Sequence, residues 1–168
     1  VAAADASSVE GSLGLPRATL RLAFATHRNS TRQNAADGYI TAAELYEKLA
    51  TGKSLGTEDK VYHAFALTAG AIAAADLKNG SLAQKFAERA IAVSGERSAE
   101  RLAALARGLE LQGKSEEATA VAKEAKIAIG KIGEPDEDDR ALASEVDAIL
   151  DRFAKSRPAP TLPVPGGL

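Results

Sequence analysis

Apolar residues recur along this chain at steps of three and four, most clearly between Ala99 and Ile127. Leu102, Leu105, Ala106 and Leu109 fall three, one and three apart, which places one apolar stripe along a helix. Gln112-Gly113-Lys114-Ser115 interrupts the stripe. Gly113 is suited to the left-handed conformation that ends a helix, and Ser115 to capping the next. Glu116 and Glu117 follow in the first turn, where the helix dipole favours negative charge. Ala118, Ala122 and Ala125 then form a ridge of methyl groups that lets the second helix lie close against the first. The spacing predicts a tight helical hairpin.

A second hairpin is expected upstream. Ala83, Ala87 and Ala90 repeat the ridge 35 positions earlier. The helix before them spans Val61 to Leu77, with Phe65, Ala69, Ile72 and Ala73 as its buried stripe and Gly70 as a point of close contact. Asn79-Gly80 is predicted to turn the chain, and Ser81-Leu-Ala-Gln84 to form a capping box. Nearer the start, Pro16 reads as the opening of a helix that runs to Arg28. A polar loop from Asn29 to Gly38 and a helix from Thr41 to Thr51 follow, the latter opened by a Thr41–Glu44 capping box. Ala42, Leu45, Tyr46 and Leu49 make its buried face, and Gly52 to Gly56 is a turn. Leu142, Val146, Ile149, Leu150 and Phe153 predict a terminal helix. With no long stretch alternating at the period of two that half-buried strands need, the fold class is all-α. The expected organisation is a flexible lead over 1–14, a helical domain over 15–156 and a Pro-rich extended tail over 157–168. In that tail Leu162, Val164 and Leu168 are spaced to serve association and not folding.

Composition narrows the function. Alanine makes up more than a fifth of the chain and aromatics 4%, so the core must rest on close helix contacts. Without cysteine there is no disulfide or thiol chemistry. A net charge of -2 argues against nucleic-acid binding, which rests on phosphate neutralisation. No apolar run approaches the roughly 20 residues of a transmembrane helix. The chain lacks Met and begins Val-Ala-Ala-Ala-Asp-Ala, like the small-residue region beside a signal-peptide cleavage site. An exported, periplasmic protein is the expectation.

The two hairpins together resemble tetratricopeptide repeats over roughly residues 60–130, whose period is about 34 residues. Leu102, Leu105, Ala106, Leu109, Gly113, Ala118, Ala122 and Ala125 fall on that family's motif positions. The large aromatics common in the pattern are missing, and Ala122 occupies a usual aromatic site. The resemblance implies antiparallel hairpins stacked as a short solenoid with a concave groove, closed at its open end by the terminal helix. It also implies that exposed positions of each hairpin's first helix line the groove, here Glu100, Ala103, Arg107, Glu110 and Leu111. Their mixed charge suits an extended peptide better than an acidic C-terminus, which would need a basic clamp.

Other candidate sites are weaker. Asp37-Gly38-Tyr39-Ile40-Thr41 followed by Glu44 resembles the second half of a calcium loop, but Gln33 and Ala35 stand where the first carboxylates belong. A turn leading into a capped helix explains the same letters. His27 and His63 are the only histidines, and Asp59 and His63, one turn apart, read as a surface salt bridge. No catalytic triad, phosphate loop or dinucleotide fingerprint is present, so no enzyme, metal or cofactor is expected. Between Gly11 and Ala36 there is no acidic residue, and Arg17, Arg21 and Arg28, with Arg32 beyond, form either a basic ridge for an acidic partner or a solvated face. The run Glu134 to Asp139 complements the dipole of the terminal helix, or pairs with that ridge. The reading is a non-enzymatic protein–protein interaction module or scaffold. Its rival is a structural accessory subunit of a larger exported or envelope assembly, contacting it through its tails and basic N-terminal helix.

Overall fold

A chain so rich in alanine has little side-chain bulk with which to hold helices apart, and its helices pack almost backbone to backbone. The computed structural model describes residues 9–30, 32–52 and 54–156. Among them it shows seven helices and no strand: α1 (Val9–Asn29), α2 (Arg32–Gly52), α3 (Thr57–Asp76), α4 (Gly80–Ser94), α5 (Ala99–Leu111), α6 (Ser115–Ile129) and α7 (Glu137–Ser156). Each helix packs on the next in sequence, as a stack of antiparallel hairpins must. The α5–α6 hairpin shows the geometry: Arg97, just before α5, bonds Glu124 near the far end of α6 (2.7 Å), while Leu109 and Ala118 meet beside the turn.

Alternate helices run parallel. Thr68 of α3 faces Arg101 of α5, and about two turns further on Asp76 faces Arg107. Likewise Arg107 faces Glu145 of α7, and Glu110 faces Arg152. The odd-numbered helices therefore form one layer and the even-numbered ones the other.

Among the described residues three large apolar clusters run through the stack, with a smaller one of Ala74, Ala75 and Ala83 between α3 and α4. Leu20, Ala23, Tyr39, Ala42 and Tyr46 join α1, α2 and α3. Leu67, Phe86, Leu105, Leu109 and Ala118 join α3 to α6, and Leu102, Ala122, Val146 and Ile149 join α5 to α7. The closest approach lies between α4 and α5. A methyl placed on Gly108 would stand 2.6 Å from the backbone nitrogen of Gln84, and one on Gly80 would stand 2.9 Å from the carbonyl oxygen of Gly108. Gln112 latches this contact, its amide donating to the carbonyls of Gly80 (3.1 Å) and Gly108 (3.0 Å) and to Gln84 Oε1 (2.8 Å).

Several expected boundaries are corrected. Pro16 does not open α1 but lies inside it, buried, with the helix starting at Val9. The carbonyl four residues earlier loses its N–H partner, and the helix tolerates that loss. The expected lead over 1–14 overlaps α1 from Val9 onward; residues 1–8 and the tail at 157–168 lie outside the described residues. The loop from Asn29 to Gly38 shrinks to the break around Ser30, since α2 begins at Arg32 and carries Asp37 through Glu44 as continuous helix. No loop exists there to wrap a cation, and Thr41, mid-helix, caps nothing. Gly38 is needed for packing instead: its added methyl would lie 2.9 Å from Ala23 Cβ on α1.

The hairpin turns also use other residues than expected. Lys78 takes the left-handed conformation (φ 61°), and Asn79 caps α4 by accepting from Leu82 N (3.1 Å). Gly80 and Ser81 are already helical, so the Ser81–Gln84 box does not form. Gly113 does take φ 73°, but the residue before α6 is Lys114 and Ser115 is its first helical residue. Glu116 and Glu117 lie in the first turn, and Ala118, Ala122 and Ala125 are fully buried, as the spacing predicts.

Gly108→Ala should lower stability by about 1–3 kcal/mol, because the backbone of α4 has no room for a methyl. This outweighs the gain of up to about 1 kcal/mol that alanine brings to an exposed helix interior. A chemical-denaturation curve showing Gly108→Ala more stable than the parent would refute the close contact.

Candidate binding groove

The odd-numbered helices, together with Tyr39 of α2, line a groove of about 520 Å³. Phe24 and His27 of α1 form one wall and Phe65, Ala69 and Ile72 of α3 the floor beside it. Ala103, Ala104 and Arg107 of α5 continue the floor, and Asp138, Leu142 and Glu145 of α7 form the opposite wall. Phe24 and Phe65 remain 48% and 47% exposed, although both project from helices packed into the stack. A half-exposed phenyl ring on a concave surface is the most informative kind of exposure, because it offers area for contact without a partner.

Of the groove positions inferred from the repeat resemblance, Glu100, Ala103 and Arg107 line it, while Glu110 and Leu111 do not. Ala103 is floor and not surface, being almost wholly buried. Glu110 is taken up by Arg152 of α7, with Nη2 donating to Oε2 at 2.8 Å. Leu111 sits at the end of α5, where its Cβ comes within 2.7 Å of a methyl placed on Gly80. Arg107 donates to Asp76 (2.7 Å) and lies 3.7 Å from Glu145, so it is enclosed between two carboxylates. Its Nη1 is buried without a hydrogen-bond partner among the described residues.

The basic ridge is broken up. Arg17 bonds Asp59 through Nε (3.0 Å) and Nη2, and its guanidinium stands 5.5 Å from the centre of the Tyr62 ring. Arg21 and Arg28 remain exposed on α1, outside the groove lining. The acidic run before α7 acts first as a cap: Asp136 Oδ1 accepts from Asp139 N (2.9 Å), and Asp139 Oδ2 from Asp136 N (3.1 Å).

Phe24, Phe65, Ile72 and Leu142 were not recognised as groove residues. Phe65, Ala69 and Ile72 had the right spacing for a stripe, but α3 is apolar nearly all round. Its buried side is instead the row of Ala66, Leu67, Gly70, Ala73 and Ala74. Gly70 does mark a close contact, its added methyl lying 3.0 Å from Ala43 and 3.1 Å from Phe86.

A buried polar cluster lies between α2, α3 and α4. Asp59 and His63 do not pair with each other and neither faces solvent. His63, 1% exposed, stacks on Tyr46 (5.6 Å between centroids, 17° between planes), and its Nε2 lies 2.9 Å from Glu47 Oε1. Arg89 of α4 clamps the same carboxylate from the other side, with Nε to Oε2 at 3.0 Å and Nη2 to Oε1 at 3.1 Å. Burial pushes the Glu47 carboxyl up, but hydrogen bonds and charge from Arg89, with His63 assisting, hold it below its usual 4.5. Burial also pushes the Tyr46 phenol up to about 12, Arg17 opposing. Its hydroxyl has no hydrogen-bond partner among the described residues. No group of three or more His, Cys, Asp or Glu side chains among the described residues is arranged to hold a metal. No described helix is long and apolar enough to cross a membrane.

Compared with protein-family models, with curated proteins and with solved structures, the chain gives no match in any of the three.

The polar cluster makes stability depend on pH. Burial holds the His63 imidazole below its usual 6.5, outweighing the opposing pull of Glu47. The unfolded chain then binds the proton more readily, so stability present above 6.5 is lost as pH falls through the lowered folded value. Glu47, held below 4.5, contributes its own loss only at lower pH. The melting temperature of the parent should therefore decline as pH drops from 6.5 toward 4.5, and His63→Phe should flatten that decline. An unchanged slope in His63→Phe would assign the titration elsewhere.

Proposed function

We propose that this chain is a non-enzymatic interaction module of tetratricopeptide-like hairpins whose groove seats an extended peptide or a segment of a partner protein. The observation that carries this reading is the groove itself, lined by side chains of α1, α3, α5 and α7 with Tyr39 of α2, and with two half-exposed phenylalanines beside a floor that includes Ala69, Ala103 and Ala104. Helices α4, α5 and α6, at 15, 13 and 15 residues, span the best-matched part of the repeat pattern, while α1, α2, α3 and α7 run to 20 or 21. The volume falls in the range that encloses a small ligand or a short peptide stretch.

One observation favours the accessory-subunit reading as a second. Leu15 and Leu22 on α1 are 62% and 68% exposed, with Ala18 and Ala25 exposed on the same face. The polar groups beside them are turned inward on the same helix: Thr19 donates to Leu15 O (2.9 Å), Thr26 to Leu22 O (2.9 Å) and Asn29 to Ala25 O (2.8 Å). Such a face suits a permanent neighbour.

Selection of a random-peptide display library against the immobilised chain tests the groove. Selected peptides should lose affinity by at least roughly tenfold when the groove is filled by Ala69→Trp or stripped of its ring by Phe65→Ser. Peptides that bind both variants as well as the parent, or a library that yields none, would sink the proposal. If Leu22→Lys instead converts an oligomer to a monomer by sedimentation, the α1 face is the working surface.

A further inference from the structure

Resting on the groove reading above, the groove's charge names its ligand. Its two arginines are already occupied. Arg107 lies between Asp76 and Glu145, and Arg101 donates to Glu96 (3.2 Å) and more weakly to Thr68 (3.4 Å). Their side chains are only 18% and 15% exposed, so neither can clamp an incoming carboxylate without first giving up an internal partner.

Glu145 is tied to Arg107, but Glu100, Asp138 and Asp139 stand in no ion pair among the described residues; Asp139 serves the cap at Asp136, and Ser98 Oγ donates weakly to Glu100 (3.4 Å). Glu100 lies in the first turn of α5, and Asp138 and Asp139 in the first turn of α7. Because α5 and α7 run parallel, these first turns stand side by side, and the acidic groups collect at one end of the groove. No cation among the described residues lies within ion-pairing distance of Glu100, Asp138 or Asp139. Negative side chains at helix N-termini are favoured by the dipole. They also occupy the place an anion would otherwise take.

The aromatic rings add a second contribution of the same sign. The faces of Phe24 and Phe65 attract cations and aliphatic stems alike, and the two rings make no stacking contact with a described neighbour. A lysine or arginine side chain laid along the groove would therefore find phenyl surface for its stem and a carboxylate for its head.

We infer that the groove binds a basic, extended peptide segment, with lysine or arginine directed to Glu100 and Asp138 and an apolar side chain seated between Phe24, Phe65 and Leu142. This replaces the mixed-charge ligand that the spacing of Glu100, Arg107 and Glu110 suggests, because Arg107 is held between Asp76 and Glu145 and Glu110 is held by Arg152.

The test uses two short synthetic peptides of equal length, one with lysine and arginine interspersed with leucine in a Gly-Ser background, the other its twin with glutamate at every basic position. Binding to the full chain is read by fluorescence anisotropy at low and high salt. The basic peptide should bind, weaken as salt rises, and lose roughly tenfold in affinity with the double variant Glu100→Gln/Asp138→Asn. These two side chains take no part in the cap at Asp136 and Asp139, and circular-dichroism melts confirm that the variant folds. Binding unchanged by the double variant would overturn the inference. If the glutamate twin binds as well and is displaced by Ala69→Trp, the charge argument is wrong while the groove reading stands. If neither peptide binds and the display library also finds no groove-dependent ligand, the groove reading falls and this inference with it.

Discussion

The contact on which the stack depends is the meeting of α4 and α5 at Gly80 and Gly108. Two helices whose backbones touch leave no tolerance for a side chain, which is why both positions are glycine. That proximity sets the direction of α5 relative to α4, and through α5 the placement of α6 and α7. The Gln112 amide supports it by spending its hydrogens on acceptors from both helices at once. Alanine elsewhere extends the same principle at a slightly greater distance. Ala83, Ala87, Ala90, Ala118, Ala122 and Ala125 are fully buried and give the even-numbered helices smooth ridges to lay against their partners.

A core of small side chains gains less from burial per residue than one of leucine and phenylalanine. The stack adds ionic ties between alternate helices: Arg17 to Asp59, Glu47 to Arg89, Asp76 to Arg107 and Glu110 to Arg152. Three of these four span 42 residues of sequence, so each holds one helix to the next-but-one at a similar offset. The most exposed contribute little on their own. The Glu47 clamp is different, because its carboxylate also meets a buried histidine, and losing one partner leaves charge or polar atoms unsatisfied inside. One of these ties also reaches the groove, where Arg107 is held between Asp76 and Glu145.

Much of this was legible from the letters alone. The α5–α6 hairpin could be read nearly residue by residue, because its apolar stripe is narrow, its glycine takes the left-handed conformation and its acids sit in the first turn. The reading failed where local signals were ambiguous. Pro16 and Thr41 are both typical of helix starts, yet each lies inside a helix that tertiary packing holds together. Asp37-Gly38 has the look of a turn, but Gly38 serves a close approach to α1. The groove was harder. Three of its five inferred positions, Glu100, Ala103 and Arg107, line it because their spacing places them along one side of α5, although Ala103 is buried there. Phe24, Phe65 and Leu142 were missed because a helix apolar on most sides, or one at the end of a stack, does not show in its own sequence which side its neighbours cover.

Amide hydrogen exchange across the whole chain tests the central claim most directly. If the α4–α5 contact is the anchor of the stack, the slowest amides lie in residues 83–90 and 102–109, and they exchange only with global unfolding. The ends of the stack, α1 and α7, exchange sooner through local opening. Slowest exchange in α1 or α7, with α4 and α5 opening first, would contradict the account.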